Sequence, residues 1–399
     1  MELFETVIVI LGIIIALAFN FSNGRNDASN TIATVIATRA LSPRAAIIIA
    51  AACCLAGPFI FSTAVAKTIG KGIVDPSFFN PIFLFVGLCG AVFWVNFCTH
   101  KGIPVSSSHA LVGGLMGAGV AAGGLSVIVL PTYEMISGMF FYLLIGAAAG
   151  LTVGLLLALI FRDEIKLFAA IGLIVGAVIG VPAAMITGVF EFNGIPAILL
   201  FICVSPILGL VVSYLFTTLL SGFAARHIKN PMKMNKWFQR LQILGSGFQS
   251  LSLGGNDAQN AMGIIVAILL SVGMLSPNDP IPFWVVLLSA VAISLGLLSG
   301  GWKVISKVGR KITKILPYQG FSASFSGGLV LSFMTSFGVP VSTTHVASGT
   351  IMGTGVTRGV GAVNWRTVRQ MVSAWIITIP CAGAVSFAAY LIVSLIFGL

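Results

Sequence analysis

Charge is what this sequence has least of. Only 8% of its 399 residues are Asp, Glu, Lys or Arg, and only 10 are acidic, against roughly 25% charged in a soluble globular domain. The polar surface that keeps a chain of this size in water is missing. The six cysteines, Cys53, Cys54, Cys89, Cys98, Cys203 and Cys381, all lie inside apolar runs without metal-ligand spacing. They read as buried thiols, neither a disulfide framework nor a metal site. A secretory signal is not evident: the opening MELFE is acidic, and the apolar run after it leads into a polar motif rather than a small-residue cleavage site. The short alternating segments of a membrane β-barrel are absent too.

What is present is hydrophobic: 58% of the residues, with a mean hydropathy of +1.08. Runs of roughly 20 apolar residues recur along the chain, each long enough to cross about 30 Å of hydrocarbon. The sequence predicts an all-α polytopic membrane protein with spans near 5–38, 45–66, 80–122, 135–161, 166–190, 195–221, 241–273, 282–300, 320–357 and 367–398. Those at 5–38, 80–122, 241–273 and 320–357 are each interrupted by polar residues. The net charge of +11 resides in short loops, which argues for membrane orientation and against nucleic acid. With the N-terminus outside and the spans 80–122 and 320–357 folded as hairpins, 17 of the 21 basic residues fall inside. Only Lys67 and Lys71 fall outside, a strong positive-inside bias. Both termini are then expected outside. The basic stretches 222–240 and 301–318 read as cytoplasmic loops on anionic lipid.

Two motifs occur twice, in the same order. GRNDASN (Gly24–Asn30) matches GGNDAQN (Gly254–Asn260), and PVSSSH (Pro104–His109) matches PVSTTH (Pro340–His345). The aspartate-to-proline separations are 77 and 83 residues. The chain therefore divides into repeat 1 (1–161), a linking region with a basic loop (162–240) and repeat 2 (241–399), together one transport domain. Five crossings lie between the starts of the repeats, so they are inverted, an architecture common in secondary transporters. Each repeat is expected to carry an interrupted helix and a re-entrant helical hairpin, irregular backbone being tolerable at that depth only against protein or a cavity.

The motifs carry the chemistry. An ionised Asp at the bilayer centre costs about 2.5–3.5 kcal/mol on insertion scales, so Asp27 and Asp257 need neutralising. Asn26 and Asn30, like Asn256 and Asn260, are i,i+4 neighbours on one helical face. With the aspartates and freed backbone carbonyls they form a hard-oxygen site suited to Na⁺; a proton is the alternative. Ser106 and Ser342 are assigned to the same cation sites. Proline is favoured at the first helical position, so the second motif starts a helix. Its N-terminal N–H groups and hydroxyls, Ser107, Ser108, Thr343 and Thr344, would face an anion. Two such tips converging from opposite sides suit a tetrahedral oxyanion. Asp27, Asp257 and Arg25 complete the expected anion contacts. Arg25 has no counterpart, Gly255 standing in its place; contact with the anion, pairing with Asp27 and snorkelling to an interface all stay open for it. His109 and His345 are matched, with anion binding, proton movement and hairpin orientation as candidate roles. Gln249 and Gln259 add asymmetric polar surface. The 46 glycines read as close helix packing, and the tryptophans, including Trp94 and Trp375, mostly as interfacial anchors.

These duplicated motifs closely resemble the inorganic phosphate transporter (PiT) family of sodium- or proton-coupled phosphate permeases, over nearly the whole chain. The resemblance implies an inverted-repeat fold, symport of inorganic phosphate with Na⁺ or H⁺, and no catalysis or cofactor. It places Asn26, Asp27, Asn256 and Asp257 in the coupling centre and Ser107, Ser108, Thr343 and Thr344 around the phosphate. Arg25 departs from the small residue usual in the first motif. The large hydrophilic loop of eukaryotic relatives is absent, which points to a prokaryotic inner membrane. A homo-oligomer is left open. The rivals are a sulfate permease, a membrane hydrolase using a serine of SSSH, and a passive anion channel. Duplication of the whole constellation favours transport over hydrolysis, and a channel has no need of the repeated Asp–Asn pair.

Overall fold

The computed structural model describes residues 3–66, 81–128, 132–161, 165–190, 194–227, 230–276, 278–339 and 341–398. Lys67, Lys71, Arg162, Lys229 and Pro340 lie outside the described residues. The first half contains α1 (Leu3–Ala37), α2 (Pro43–Ile60), α3 (Pro81–Lys101), α4 (Ser107–Gly123) and α5 (Tyr133–Phe161). After α6 (Ile165–Ile186) and α7 (Gly194–His227), the second half contains α8 (Pro231–Ser271), α9 (Phe283–Ser299) and α10 (Trp302–Lys311). It ends with α11 (Pro317–Ser336), α12 (Thr343–Val356) and α13 (Trp365–Phe397). Among the described residues seven helices are long and apolar enough to cross a membrane, and the α9–α10 pair, bent by 73°, supplies an eighth.

The two halves interlock by exchange. α1 packs on α9, and its counterpart α8 packs on α2. Glycine sets how closely. A Cβ on Gly24 would lie 2.0 Å from the carbonyl oxygen of Ile293 on α9, and one on Gly254 would lie 2.0 Å from that of Cys54 on α2. The leading glycine of each ND motif thus fixes a helix crossing. On the outside of the fold, Gly146, Gly150 and Gly154 of α5 meet Gly172, Gly176 and Gly180 of α6 with the same intimacy, as the glycine-rich composition predicted.

The hairpins are present. α3 packs on α4, and α11 on α12. With 17 and 14 residues, α4 and α12 are roughly 25 and 21 Å long, too short for about 30 Å of hydrocarbon. Each hairpin turns on a glycine at positive φ, Gly102 at 69° and Gly338 at 71°, where a Cβ is disfavoured.

Three expectations need correction. The helices do not break at the ND motifs: α1 runs 35 residues and α8 runs 41 without interruption. Among the four spans expected to be interrupted, the breaks fall only in the hairpins, so no backbone carbonyls are freed at Asp27 or Asp257. Pro104 is not at the first helical position, because Ser106, two residues on, is the N-cap of α4. The stretches 222–240 and 301–318 are not simply loops: the first is mostly the end of α7 and the start of α8, whose N-cap Asn230 accepts from the N–H groups of Met232 and Lys233, and most of the second is α10.

Candidate functional site

The two ND motifs and the two hairpin tips meet in the protein interior. Ser106 and Ser342 cap α4 and α12, accepting from the N–H groups of His109 (3.3 Å) and His345 (3.4 Å). The Ser342 hydroxyl donates to that of Ser106 at 3.0 Å, so the tips touch end to end. Each helix presents its positive N-terminus to the same point.

Each motif asparagine fastens one tip. The Asn26 amide donates to the Val105 carbonyl (2.8 Å) and to Asp27 Oδ1 (2.6 Å). The Asn256 amide donates to the Val341 carbonyl (3.1 Å) and to Asp257 Oδ1 (2.8 Å). Their carbonyl oxygens accept from Thr99 and Thr335, both at 3.2 Å. Sequence reasoning missed these two threonines. A signal existed, since each stands five residues before the motif proline, in THKGIP and TSFGVP. These bonds also explain the unbroken helices. The polar side chains are satisfied by a distant hairpin rather than by their own backbone.

The carboxylates are asymmetric. Thr343 Oγ1 lies 2.8 Å from Asp27 Oδ2 and 2.9 Å from Asp257 Oδ2. A hydroxyl has one proton and can donate to only one of them. The aspartates, 2% and 1% exposed, are therefore held face to face. Thr344 donates to Asp27 Oδ1 at 2.9 Å, or to the Val105 carbonyl at 3.2 Å, and Asn30 donates to Thr344 at 3.2 Å. The Thr343 and Thr344 hydroxyls expected around an anion thus serve the aspartates here.

The mirrored positions are open. Ser107 Oγ and Asn260 Nδ2, the counterparts of Thr343 and Asn30, are buried without a partner, and Ser108, the counterpart of Thr344, is half-buried. Buried polar atoms are rarely left unpaired. These donors, with the first N–H groups of α4, fit an oxyanion. Arg25 is half-buried, pairs with neither aspartate, and has a buried Nε without a partner.

Behind the tips, His109 Nδ1 lies 3.1 Å from the Trp375 carbonyl. A carbonyl only accepts, so Nδ1 carries a proton. The two histidine rings stand edge to face at 4.7 Å, and His345 lies 3.8 Å from the Trp375 ring. Trp375 is thus no interfacial anchor but a buried clamp (5% exposed) on both hairpins. Trp94 is half-buried and donates to Thr378 at 3.3 Å. Gln259 is structural: it donates to the Ser62 and Gly255 carbonyls and accepts from the Ala66 N–H.

Comparison with known proteins gives the family. Residues 23–171 and 169–386 match the phosphate transporter family. A probable low-affinity inorganic phosphate transporter of Rhizobium meliloti (strain 1021) is 37% identical over 97% of both chains. One of Bacillus subtilis (strain 168) is 35% identical over 98% of both. The solved structure of a protein described as the sodium-dependent phosphate transporter superposes with a TM-score of 0.68 at 29% identity, covering 98% of this chain and 100% of that one. The chain belongs to the phosphate transporter family, a family of membrane transporters rather than enzymes.

Proposed function

We propose that the protein is a symporter that imports inorganic phosphate with Na⁺. The observation that carries this reading is the single Thr343 hydroxyl set between Asp27 and Asp257. Neither carboxylate forms an ion pair with a described basic residue. Two like charges so placed repel strongly at low dielectric, and an external cation relieves that repulsion. Asp27, Asp257, Asn26 and Asn256 offer the oxygens, and Asn30, Asn260, Ser106 and Ser342 stand beside them.

Cation binding then changes what the hydroxyls do. A cation on the carboxylates competes for the lone pairs that now accept from Thr343 and Thr344, freeing those hydroxyls to turn to phosphate. Ser107, Ser108 and Asn260 donate from the other side. Cation and anion each lower the cost of binding the other, which is the coupling a symporter needs. The hairpin tips, joined by Ser106 and Ser342, then part toward one face or the other. On this reading the inward face, which carries most of the basic residues, lies in the cytoplasm of a prokaryotic inner membrane, with both termini outside.

Proton coupling through the same carboxylates is the second reading, since one shared proton also relieves their repulsion. Carboxylates beside the anion favour phosphate over sulfate, because protonated phosphate donates hydrogen bonds and sulfate does not. Labelled phosphate uptake into proteoliposomes, with Na⁺ and pH gradients imposed separately, tests the reading. It predicts uptake driven by the Na⁺ gradient alone and little competition from sulfate. Uptake driven only by the pH gradient would replace Na⁺ with H⁺.

A further inference from the structure

We propose that a buried stripe of hydroxyl and amide side chains is the transit route of the hydrated oxyanion between the central site and the basic end of the molecule, closed in this conformer by two hydrogen bonds, Thr34–Ser324 and Thr38–Gln242. The proposal rests on the transport reading above and adds the path to it.

The stripe begins one residue past the site. On α1, Asn30 bonds Thr344 at the hairpin tip. The Thr31 carbonyl accepts from Ser246 at 2.8 Å, Thr34 bonds Ser324 at 3.0 Å, and Thr38 donates to Gln242 at 2.7 Å. From Asp27 to Thr38 is about 16 Å along the helix, close to half the hydrocarbon thickness. At Thr38 the stripe reaches Arg39, which is exposed, and Arg240. α1, α8 and α11 line it.

Small hydroxyls inside membrane proteins commonly bond back to their own helix, as Ser250 does to Ser246. Two groups here do not fit that explanation. Gln242 Nε2 and Gln249 Oε1 are buried with no partner, and their residues are 0% and 2% exposed. Unsatisfied donors and acceptors in a low-dielectric interior are costly. They are what remains when a wetted passage closes on itself.

The repeat supplies an internal control. Applying the motif alignment, Thr34 and Thr38 become Ile264 and Ile268. Gln242, Ser246 and Gln249 become Gly12, Ala16 and Phe19, and Ser324 becomes Leu88. The bond of Thr38 to Gln242 is replaced by apolar contact: a Cβ on Gly12 would meet Ile268 Cδ1 at 2.9 Å. The same fold is sealed at one end by hydrogen bonds and at the other by hydrocarbon. A merely structural stripe has no reason to differ between the two ends.

The test uses a cysteine at Ser246 and one at its counterpart Ala16, each in the full chain in oriented membrane vesicles. The probe is an impermeant anionic methanethiosulfonate, and the unsubstituted chain controls for the native cysteines. Phosphate uptake is followed in the same vesicles. The expected result is that Ser246→Cys reacts from the face bearing Arg39 and Arg240, and several-fold faster when Thr34→Val is added. Ala16→Cys does not react from that face. If Ser246→Cys transports poorly, Gln249→Cys, whose carbonyl oxygen has no partner to lose, takes its place. A transport-competent Ser246→Cys or Gln249→Cys that is unreactive from that face, or reactive only from the other, overturns the route. Asp27→Asn, assayed alongside, separates the two readings: normal uptake by that variant defeats the site and leaves the route's own readout intact.

Discussion

The Ser342 hydroxyl donates to the Ser106 hydroxyl at 3.0 Å across 236 positions of sequence. The two residues occupy the same place in their repeats, so this bond lies at the pseudo-symmetry centre of the molecule. Everything chemically distinctive gathers around it: the capped tips, the fastening asparagines and the facing aspartates. Departures from symmetry there mark what each half does.

Thr343 is the first such departure. Thr343→Val removes the hydroxyl between the carboxylates and should lower phosphate transport by roughly 10- to 100-fold, the worth of a hydrogen bond to a charged group. Thr343→Ser keeps the hydroxyl and should retain most of it. Initial uptake rates at saturating and limiting Na⁺ check this; equal losses in both variants would assign Thr343 to packing.

The fastening asparagines should differ in stability. The Val105 carbonyl has Thr344 as a second donor, whereas the Val341 carbonyl accepts only from Asn256 among the described groups. Asn256→Ala should therefore destabilise the protein more than Asn26→Ala, by about 1 kcal/mol, the lower end of the cost of a buried unsatisfied acceptor. Denaturation in detergent at fixed Na⁺ measures the difference.

Gly24→Ala and Gly254→Ala should each lower stability by about 1–3 kcal/mol or more through overpacking against backbone 2.0 Å away. A Cβ on Gly222 of α7 would have nothing within 4 Å, so Gly222→Ala should be neutral or slightly stabilising, alanine being the better helix former. Melting temperatures of the three variants test this.

Asp27→Asn and Asp257→Asn should each reduce coupled uptake at least about 10-fold while the protein remains folded, because the cation site loses its charge. Vesicle uptake together with a melting curve separates the two effects.

The sequence made the repeats and their inversion legible, because motif spacing and loop charge are local and countable. It also brought the ND motifs and the PVS tips into one centre. What it could not convey came from partners far along the chain. Asn26 and Asn256 find acceptors 79 and 85 residues away, so α1 and α8 needed no break. Trp375, placed by composition at an interface, is buried because the His345 ring of one hairpin packs on it and His109 of the other bonds its carbonyl. The use of Thr343 by both aspartates, with Ser107 left open, depends on sub-ångström placement that a repeated motif does not encode.

A cation on the paired aspartates makes the phosphate site. Equilibrium phosphate binding to the purified protein, titrated with Na⁺ at constant pH and ionic strength, tests it most directly. Phosphate affinity should rise steeply with Na⁺, and Asp257→Asn should flatten the dependence. Phosphate affinity that does not change with Na⁺ would contradict it.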